Sequence, residues 1–314
     1  MRCFPPLVSK LVKWATWLAL TASPLHAAPE SFAYVLQADA FAKSQEAAAE
    51  KLAASGRDWV VLDAVYDSET LWQRAELDEI RKGKAGRKVI AYISIGEAED
   101  YRPYWKKEWG TRDKLTRSAP KWLGHENPAW KGNYRVNYWD HEWQALILSS
   151  VDAAMDAGFD GVYLDIVDGF ETFEQDGDKF IDDRQNPATK QSYRRDMVEW
   201  VKVIANRARA KNPKALVIPQ NGSQLLSHPD FLGTISGIGI EDLFSEGNRS
   251  QPEEHSSLIL DYLKKLSESG KAVLIIEYPT SSRMVKASQQ RCHDQGFTWL
   301  VTDRELKTLG ESGR

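Results

Sequence analysis

The sequence predicts an α/β fold with a parallel sheet, in the form of a single-domain (β/α)8 TIM barrel. Short runs rich in β-branched and aromatic residues recur along the chain, and most are continuously apolar, as strands buried on both faces of a parallel sheet are. Segments with apolar residues at helical spacing lie between these runs. The 314 residues are 42% hydrophobic and 27% charged, which excludes disordered and collagen-like chains and leaves room for one large barrel.

Residues 1–27 have the pattern of a secretory signal peptide. Three basic residues precede the uncharged run 14–22, and small residues near Ala27 come before the first acid, Glu30. A membrane anchor that stays attached is the alternative, but the uncharged run is shorter than the roughly 20 residues of a spanning helix. We therefore expect export to a periplasm or out of the cell, with no stable membrane anchor, and residues 28–314 as one barrel domain.

The charge balance of the mature chain favours a cationic partner. Of 41 Lys and Arg, three lie in the predicted signal peptide, which holds no Asp or Glu, so 38 basic and 45 acidic side chains remain, a net charge of −7. This argues against nucleic acid as a partner, and it would attract a polycationic substrate. Cys3 would leave with the signal peptide, so we expect Cys292 to form no disulfide within the chain.

Eight apolar runs are predicted as the barrel strands, each bounded by Gly, Pro, Asn or Asp. They are residues 32–37, 59–65, 89–95, 134–138, 161–167, 216–220, 237–241 and 273–278. A ninth run, 297–301, keeps a doubly wound open sheet as the alternative.

Helices are predicted between these strands. One begins at Asp140, which can cap its N-terminus, and ends at Gly158. A second follows the pair of Asn186 and a proline and ends before Pro213, and a third ends at Gly270. Strands that alternate with helices in this way are typical of a (β/α)8 barrel.

Acidic residues stand at the ends of most predicted strands. Active sites of barrels lie at the carboxyl ends of the strands, so these acids are candidates for catalysis or binding. Each could instead cap the next helix or form a salt bridge at the rim, and for Asp140 the cap is the favoured interpretation. The acids are Asp63, Glu97, Asp140, Asp165, Asp168, Glu241 and Glu277.

Asp165 and Glu241 differ from the other acids because each directly follows or interrupts a continuously apolar strand. An ionised carboxylate in such a place needs a partner or a task. At the ends of the predicted fifth and seventh strands, the two carboxylates would face each other across the mouth of the barrel. Paired acids are what hydrolysis of a glycosidic bond needs.

The aromatic residues also point to a sugar. Ten Trp follow residue 27, and five of them lie between the predicted third and fourth strands: Trp105, Trp109, Trp122, Trp130 and Trp139. Flat indole faces suit the apolar faces of sugar rings, although packing of the long loop onto the barrel is the favoured interpretation for any single Trp. The histidines show no spacing typical of metal ligands, and a nucleophile elbow and a phosphate loop are absent from the sequence, so we expect no metal and no cofactor.

Four blocks of the sequence resemble, in this order, the signature blocks of glycoside hydrolase family 114, the endo-α-1,4-polygalactosaminidases. They are residues 89–102, 158–170, 241–246 and 274–279. The resemblance implies a (β/α)8 fold and endo-hydrolysis of α-1,4-linked galactosamine polymers, including the partly N-acetylated polymers of biofilm matrix. It implies that Asp165 and Glu241 are the catalytic pair. We assign Asp165 as the nucleophile and Glu241 as the general acid/base, which presumes a retaining rather than an inverting mechanism.

Eight further residues are predicted to bind this substrate. Carboxylates would hold the ammonium groups, with Glu277 as an additional candidate, and aromatic rings would meet the sugar faces. Nearby acids are also expected to raise the pKa of the catalytic carboxyl that stays protonated. The set is Asp63, Tyr92, Glu97, Arg102, Trp139, Asp168, Asn221 and Tyr278. The sequence departs from the family at residues 32–37 and at Gln220, where a Lys is common.

Two alternatives to this hydrolase remain. The first is an exported barrel that binds polysaccharide without cleaving it. The second is a carboxylate-metal hydrolase that uses Asp63, Glu97 and Asp165 and loses activity in a chelator.

Overall fold

A computed structural model of the protein describes residues 28–111 and 114–314. The predicted signal peptide, residues 1–27, lies outside the described residues. Within the described part of the chain, no helix combines the length and the apolar character needed to cross a membrane.

Parallel strands form the centre of the fold, and the described residues contain eight of them. They are β1 (Phe32–Val35), β2 (Trp59–Asp63), β3 (Lys88–Ser94), β4 (Gly161–Asp165), β5 (Leu216–Pro219), β6 (Gly237–Glu241), β7 (Ala272–Glu277) and β8 (Thr298–Val301). Strands β1 to β5 form one sheet in chain order, and β6 to β8 form a second. A parallel bridge between Gln220 and Gly239 connects β5 to β6, and Glu311–Gly313 pairs antiparallel with β8. The predicted α/β class with parallel strands is confirmed.

Helices occupy most connections between these strands. They are α1 (Ala38–Phe41), α2 (Gln45–Ala53), α3 (Arg74–Lys82), α4 (His141–Ala157), α5 (Glu171–Glu174), α6 (Tyr193–Lys211), α7 (Pro229–Thr234), α8 (Glu253–Glu268) and α9 (Ser282–Gln295). The Asp140 carboxylate accepts a hydrogen bond from the Glu142 N–H at 2.8 Å and so caps α4. Gly158 ends α4 with φ 107°, a left-handed value that favours glycine. Both predicted ends of α4 are confirmed.

The start of α6 was predicted too early. Ser192 caps this helix, because its hydroxyl accepts from the Arg195 N–H at 3.1 Å. Asn186 instead donates its side-chain amide to Asp196 inside the helix at 2.7 Å. Asn212 follows the last turn, so the predicted end before Pro213 is confirmed.

The prediction that 134–138 is a strand of the parallel sheet is wrong. Residues Asn133–Val136 pair antiparallel with Leu123–Glu126 and Glu97–Glu99 in a separate three-stranded sheet. The ninth apolar run supplies the eighth parallel strand, β8, in its place. Buried residues alternate with more exposed ones along Asn133–Val136, which is typical of an antiparallel strand with one solvated face. Asp165 and Glu241 therefore end the fourth and sixth parallel strands rather than the fifth and seventh.

Short paired strands and turns complete the described residues. The strand pairs are Gly110–Thr111 with Lys114–Leu115, Gln175–Asp176 with Lys179–Phe180, and Ser245–Glu246 with Arg249–Ser250. The 3-10 turns are Lys107–Trp109, Val167–Phe170 and Ser223–Ser227.

The buried apolar side chains form two clusters on opposite sides of the strands. The larger cluster packs between strands and helices and includes Leu164 and Ile204. The smaller one, the inner cluster, combines side chains from both sheets, such as Tyr34, Tyr163 and Ile276. Side chains alternate between faces along a strand, so Asp165, two residues after Tyr163, lies on the inner side. The fold thus brings strand-end acids to the edge of the inner cluster.

Candidate active site

Asp165 ends β4 beside a phenol. The Tyr92 hydroxyl on β3 donates to Asp165 Oδ2 at 2.6 Å, and the Ile166 N–H donates to Oδ1 at 2.8 Å. Ile166 has φ 57°, a left-handed value that turns the chain away immediately after the acid. Burial raises the pKa of Asp165 to about 6, although the Tyr92 hydrogen bond acts in the opposite direction.

Glu241 ends β6 in a similar setting. The Tyr278 hydroxyl, which follows β7, donates to Glu241 Oε1, and the Glu241 N–H donates to the Asn221 side chain at 3.1 Å. Burial raises the pKa of Glu241 to about 7, and the charge of Asp165 adds to this increase. Each predicted catalytic acid therefore has a phenol donor from a neighbouring strand.

The two acids share one electrostatic environment. Strand β5 lies between their strands, and neighbouring strands are about 4.8 Å apart. Tyr34 and Tyr163 of the inner cluster each interact electrostatically with both carboxyl groups. Within residues 28–111 and 114–314, no Lys or Arg forms an ion pair with Asp165 or Glu241. The structure thus brings the predicted catalytic pair together, and no Lys or Arg of the described residues is ion-paired to either acid, although Arg304 interacts with Glu241 from a greater distance.

Asp168 is a third acid close to this pair. It lies in the 3-10 turn Val167–Phe170, three residues after Asp165, and is partly exposed. Burial, followed by the charges of Asp165 and Glu171, raises the pKa of Asp168 to about 8. With this pKa, the side chain is mostly a neutral carboxylic acid at pH 7, and a neutral acid binds an ammonium group less strongly than a carboxylate does. Contact of Asp168 with an ammonium group of the substrate stays a prediction.

Asp63, at the end of β2, and Arg102, in the connection that follows β3 and the short strand Glu97–Glu99, form a different kind of cluster. The Arg102 guanidinium donates two hydrogen bonds of 2.7 Å to the Asp63 carboxylate and a third, of 2.5 Å, to Glu99. We call these three residues the Arg102 cluster. Burial raises the pKa of Asp63, while Arg102 opposes the increase. Since both Asp63 oxygens accept hydrogen bonds from Arg102, these contacts favour a role of Asp63 in holding the Arg102 side chain in place. Substrate binding by Asp63 and Arg102 stays a prediction.

Glu97 is also engaged inside the protein. It is 4% exposed, and the side-chain amide of Asn127 donates to it at 2.8 Å. Burial raises its pKa. The predicted contact of Glu97 with substrate therefore stays a prediction without an exposed carboxylate to support it.

The predicted aromatic ligands lie in two places. Tyr92 and Tyr278 contact the catalytic pair, as described above. Trp139 is half-buried and packs on Phe173 and Tyr193, with ring centroids 4.9 and 5.2 Å away. The structure joins the two tyrosines to the acids and places Trp139 in a separate aromatic group.

The suggestion that Glu277 lines the cleft is wrong. Its side chain is fully buried, and its oxygens accept the N–H groups of Phe244 and Ser245 at 2.7 and 3.0 Å, together with the Ser245 hydroxyl. Burial raises the pKa of Glu277 to about 7. Glu277 therefore fixes the turn after β6 and is satisfied by it.

Sequence reasoning missed three residues of the site. Glu99 belongs to the Arg102 cluster, and its spacing of three residues from Arg102 was an available signal. Tyr163 precedes Asp165 by two residues, which places both side chains on one face of β4. Arg304 packs over the Tyr278 ring at 4.1 Å and pairs with Asp242, and no local pattern indicates these contacts.

A cavity of about 450 Å³ lies beside the Arg102 cluster. Ile93 of β3, Tyr104 and residues of α4 line it, together with Arg102 and Glu99. Asp165 and Glu241 are not among its lining residues, whereas Tyr92, which donates to Asp165, is, so the cavity adjoins the pair without including either acid.

The carboxylate-metal alternative finds no ligand cluster in the described residues. No group of three or more His, Cys, Asp and Glu side chains there is arranged to hold a metal ion. Asp63, one of its three proposed ligands, is bound to Arg102 through both oxygens.

One family model and two relatives match most of this chain. The model of glycoside-hydrolase family GH114 matches residues 12–314. An uncharacterized protein of Methanocaldococcus jannaschii is 36% identical over 278 residues, which cover 84% of this chain and 76% of the relative. An uncharacterized protein of Deinococcus radiodurans is 34% identical over 251 residues, covering 80% and 74%.

Two solved structures share the fold. The glycoside hydrolase domain of PelA from Pseudomonas aeruginosa has a TM-score of 0.63 and 19% identity, covering 90% of this chain and 98% of that domain. Ega3 of Aspergillus fumigatus, in complex with galactosamine, has a TM-score of 0.65 and 21% identity, covering 93% and 98%. At these identities, the likeness establishes the fold alone.

Proposed function

Since the chain belongs to glycoside-hydrolase family GH114, we propose that it is an exported hydrolase that cleaves α-1,4-linked galactosamine or N-acetylgalactosamine polysaccharide. One observation carries this proposal. Asp165 and Glu241 end two parallel strands, and their side chains lie on the side of the inner cluster. Their pKa values are about 6 and 7, and neither forms an ion pair with a Lys or Arg of the described residues. A retaining glycosidase needs one ionised and one protonated carboxyl group, and between these pKa values the pair is in that state.

The proposed mechanism uses both acids twice. Ionised Asp165 forms a bond to the anomeric carbon while the glycosidic C–O bond breaks, and Glu241 gives its proton to the leaving oxygen. Glu241 then takes a proton from water, whose oxygen bonds to the anomeric carbon and releases Asp165. Tyr92 and Tyr278 hold the two carboxyl groups in place through their hydroxyl donors. Both proton transfers restore the starting state of the protein.

The proposal includes a closed (β/α)8 barrel as the scaffold. The inner cluster draws side chains from both sheets, and β1 lies against β8. The Phe32 N–H donates to Ser312 Oγ at 2.9 Å, and the Leu36 N–H donates to the Leu306 carbonyl at 2.9 Å. Closure would place all strand-end acids around one mouth.

The substrate class rests on charge and on similarity. A galactosamine polymer is cationic near neutral pH, and the mature chain has an acidic balance that attracts it. The Ega3 structure, which contains galactosamine, shares the fold. These two facts support a galactosamine polymer over a neutral one.

The test is hydrolysis of a defined polymer by the whole protein. We expect new reducing ends from an α-1,4-galactosamine polymer, either fully de-N-acetylated or partly N-acetylated. Binding to both polymers without release of reducing ends would overturn the hydrolase and favour the binding protein. A parallel reaction after exhaustive chelation should proceed at an unchanged rate, and loss of activity there would support the carboxylate-metal alternative.

A further inference from the structure

Glu241 has a buried polar neighbour that the proposed mechanism does not use. Gln220 follows β5 and is 1% exposed. The Tyr163 hydroxyl donates a hydrogen bond to Gln220 Oε1. Gln220 Nε2 is buried and finds no hydrogen-bond partner among the described residues, which is costly for an amide donor.

The backbone makes room for this pair. Gly239 on β6 bridges to Gln220, and a side-chain carbon at Gly239 would overlap the Tyr163 hydroxyl and Gln220 Oε1. Glycine at this position therefore lets the Tyr163 phenol and the Gln220 amide occupy the space that a side chain at position 239 would fill. Glu241 lies two residues after Gly239 on the same strand face, so its carboxyl group is within reach of the Gln220 amide.

The orientation of the amide is fixed from one side. An amide has one acceptor end and one donor end, so donation by Tyr163 to Oε1 turns Nε2 away from Tyr163. The Gln220 side chain interacts with the Glu241 carboxyl and lowers its pKa, in opposition to burial and to Asp165. An ionised Glu241 is the acceptor that Nε2 otherwise lacks.

We propose that Gln220, oriented by Tyr163, is a positioning residue that presents its amide N–H to the Glu241 carboxyl and stabilises the ionised form of that group. The inference rests on the proposed role of Glu241 as acid and base. It assigns a function to the second half of the reaction, when Glu241 has lost its proton and must accept one from water. The amide donor would stabilise that state without adding a positive charge to a site built for a cationic polymer.

Other charged and titratable groups also face Glu241. Because the proposal concerns its protonation, the variants below leave all of them except Tyr163 in place. They are Tyr34, Tyr163, Asp165, Asp168, Asp242, Tyr278 and Arg304.

The experiment measures protonation of Glu241 directly in the whole protein. Carbon-13 NMR of labelled glutamate carboxyl groups gives a titration curve for each, and the Glu241 signal is identified by its loss in Glu241→Gln. In Gln220→Met, which keeps the side-chain length and removes the donor, the pKa of Glu241 should rise by about one pH unit. Tyr163→Phe, which frees the amide to rotate, should raise it by a smaller amount.

Two matched controls separate positioning from a general loss of packing. Gln144→Met removes an amide donor to the Tyr138 carbonyl, and Tyr138→Phe removes a buried phenol donor to the Tyr193 carbonyl. Neither group contacts Glu241, so both controls should leave its titration unchanged even where they lower the melting temperature.

In Gln220→Met and Tyr163→Phe, the alkaline limb of the kcat/KM profile should shift to higher pH by the same amount as the Glu241 titration seen by NMR. An unchanged Glu241 titration in both Gln220→Met and Tyr163→Phe would overturn the inference while leaving the hydrolase intact. Absence of hydrolysis by the wild-type protein would overturn the proposed function instead, and the NMR titration would still decide the contact between Gln220 and Glu241.

Discussion

The predicted catalytic pair and the Arg102 cluster both use acids close to the carboxyl ends of parallel strands, but the groups that bind these acids differ in charge. Asp63 and Glu99 share the Arg102 guanidinium, while Asp165 and Glu241 receive hydroxyl donors from Tyr92 and Tyr278. A cation keeps a buried acid ionised and immobile, whereas a neutral donor lets it gain and lose a proton. The partner, a cation or a phenol, therefore separates the Arg102 cluster from the predicted catalytic pair. Glu277, which neutral donors also hold, is set apart from that pair by its complete burial.

Removal of either catalytic acid should give the largest effect on turnover. We expect Asp165→Asn and Glu241→Gln each to lower kcat by about 10³–10⁴-fold or more, measured as reducing ends released from galactosamine polymer. Neither change removes an ion pair, so the melting temperature should not fall. Near-wild-type turnover in either variant would show that the pair has been assigned wrongly.

Removal of the cation should give the largest effect on stability. Arg102→Met leaves Asp63 and Glu99 buried without their guanidinium, which should cost about 3–5 kcal/mol of unfolding free energy in urea at pH 7. Arg207→Met, which breaks the exposed pair with Asp152, should leave the free energy of unfolding almost unchanged. Equal costs for the two variants would contradict the structural role of the cluster.

Removal of the phenol donors should shift protonation with a moderate loss of rate. A hydroxyl donor stabilises the ionised carboxyl group, so Tyr92→Phe should raise the pKa of Asp165 and Tyr278→Phe that of Glu241. The acidic limb of kcat/KM should move upward in Tyr92→Phe and the alkaline limb in Tyr278→Phe, with rates reduced about tenfold. Tyr138→Phe should move neither limb.

Asp168 should give the smallest effect, seen in stability against pH. Its pKa of about 8 lies above the ordinary value, so its contribution to stability is present at low pH and is lost as pH rises towards 8. Asp168→Asn should therefore be more stable than wild type at pH 9, by an amount on the order of 1–2 kcal/mol, and equal to it near pH 4. A melting-temperature difference that does not change with pH would contradict this assignment.

Much of the fold follows from local sequence signals. Strand β4 and helix α4 were predictable because a buried strand is continuously apolar and because Asp140 and Gly158 mark helix ends. The mistaken parallel strand at 134–138 has an alternating pattern that only its partner strands, distant in sequence, turn into a separate sheet.

The candidate site was predictable only in part. The positions of Asp165 and Glu241 follow from the strand pattern, whereas the partner of each acid depends on contacts between strands. The sequence around Arg102 is compatible with binding either Asp63 or substrate, and that around Glu277 with either lining a cleft or holding a turn. Only the contacts in the fold decide between these roles. The contact of Arg304 with Tyr278 joins residues that no spacing rule connects.

The pH dependence of kcat/KM on galactosamine polymer tests the central claim most directly. The account predicts a bell-shaped profile with an acidic limb near pH 6, where Asp165 ionises, and an alkaline limb near pH 7, where Glu241 loses its proton. The residual activity of Glu241→Gln should lack the alkaline limb. An alkaline limb that persists unchanged in this variant would contradict the assignment of Glu241 as the proton donor, and with it the two-carboxylate mechanism.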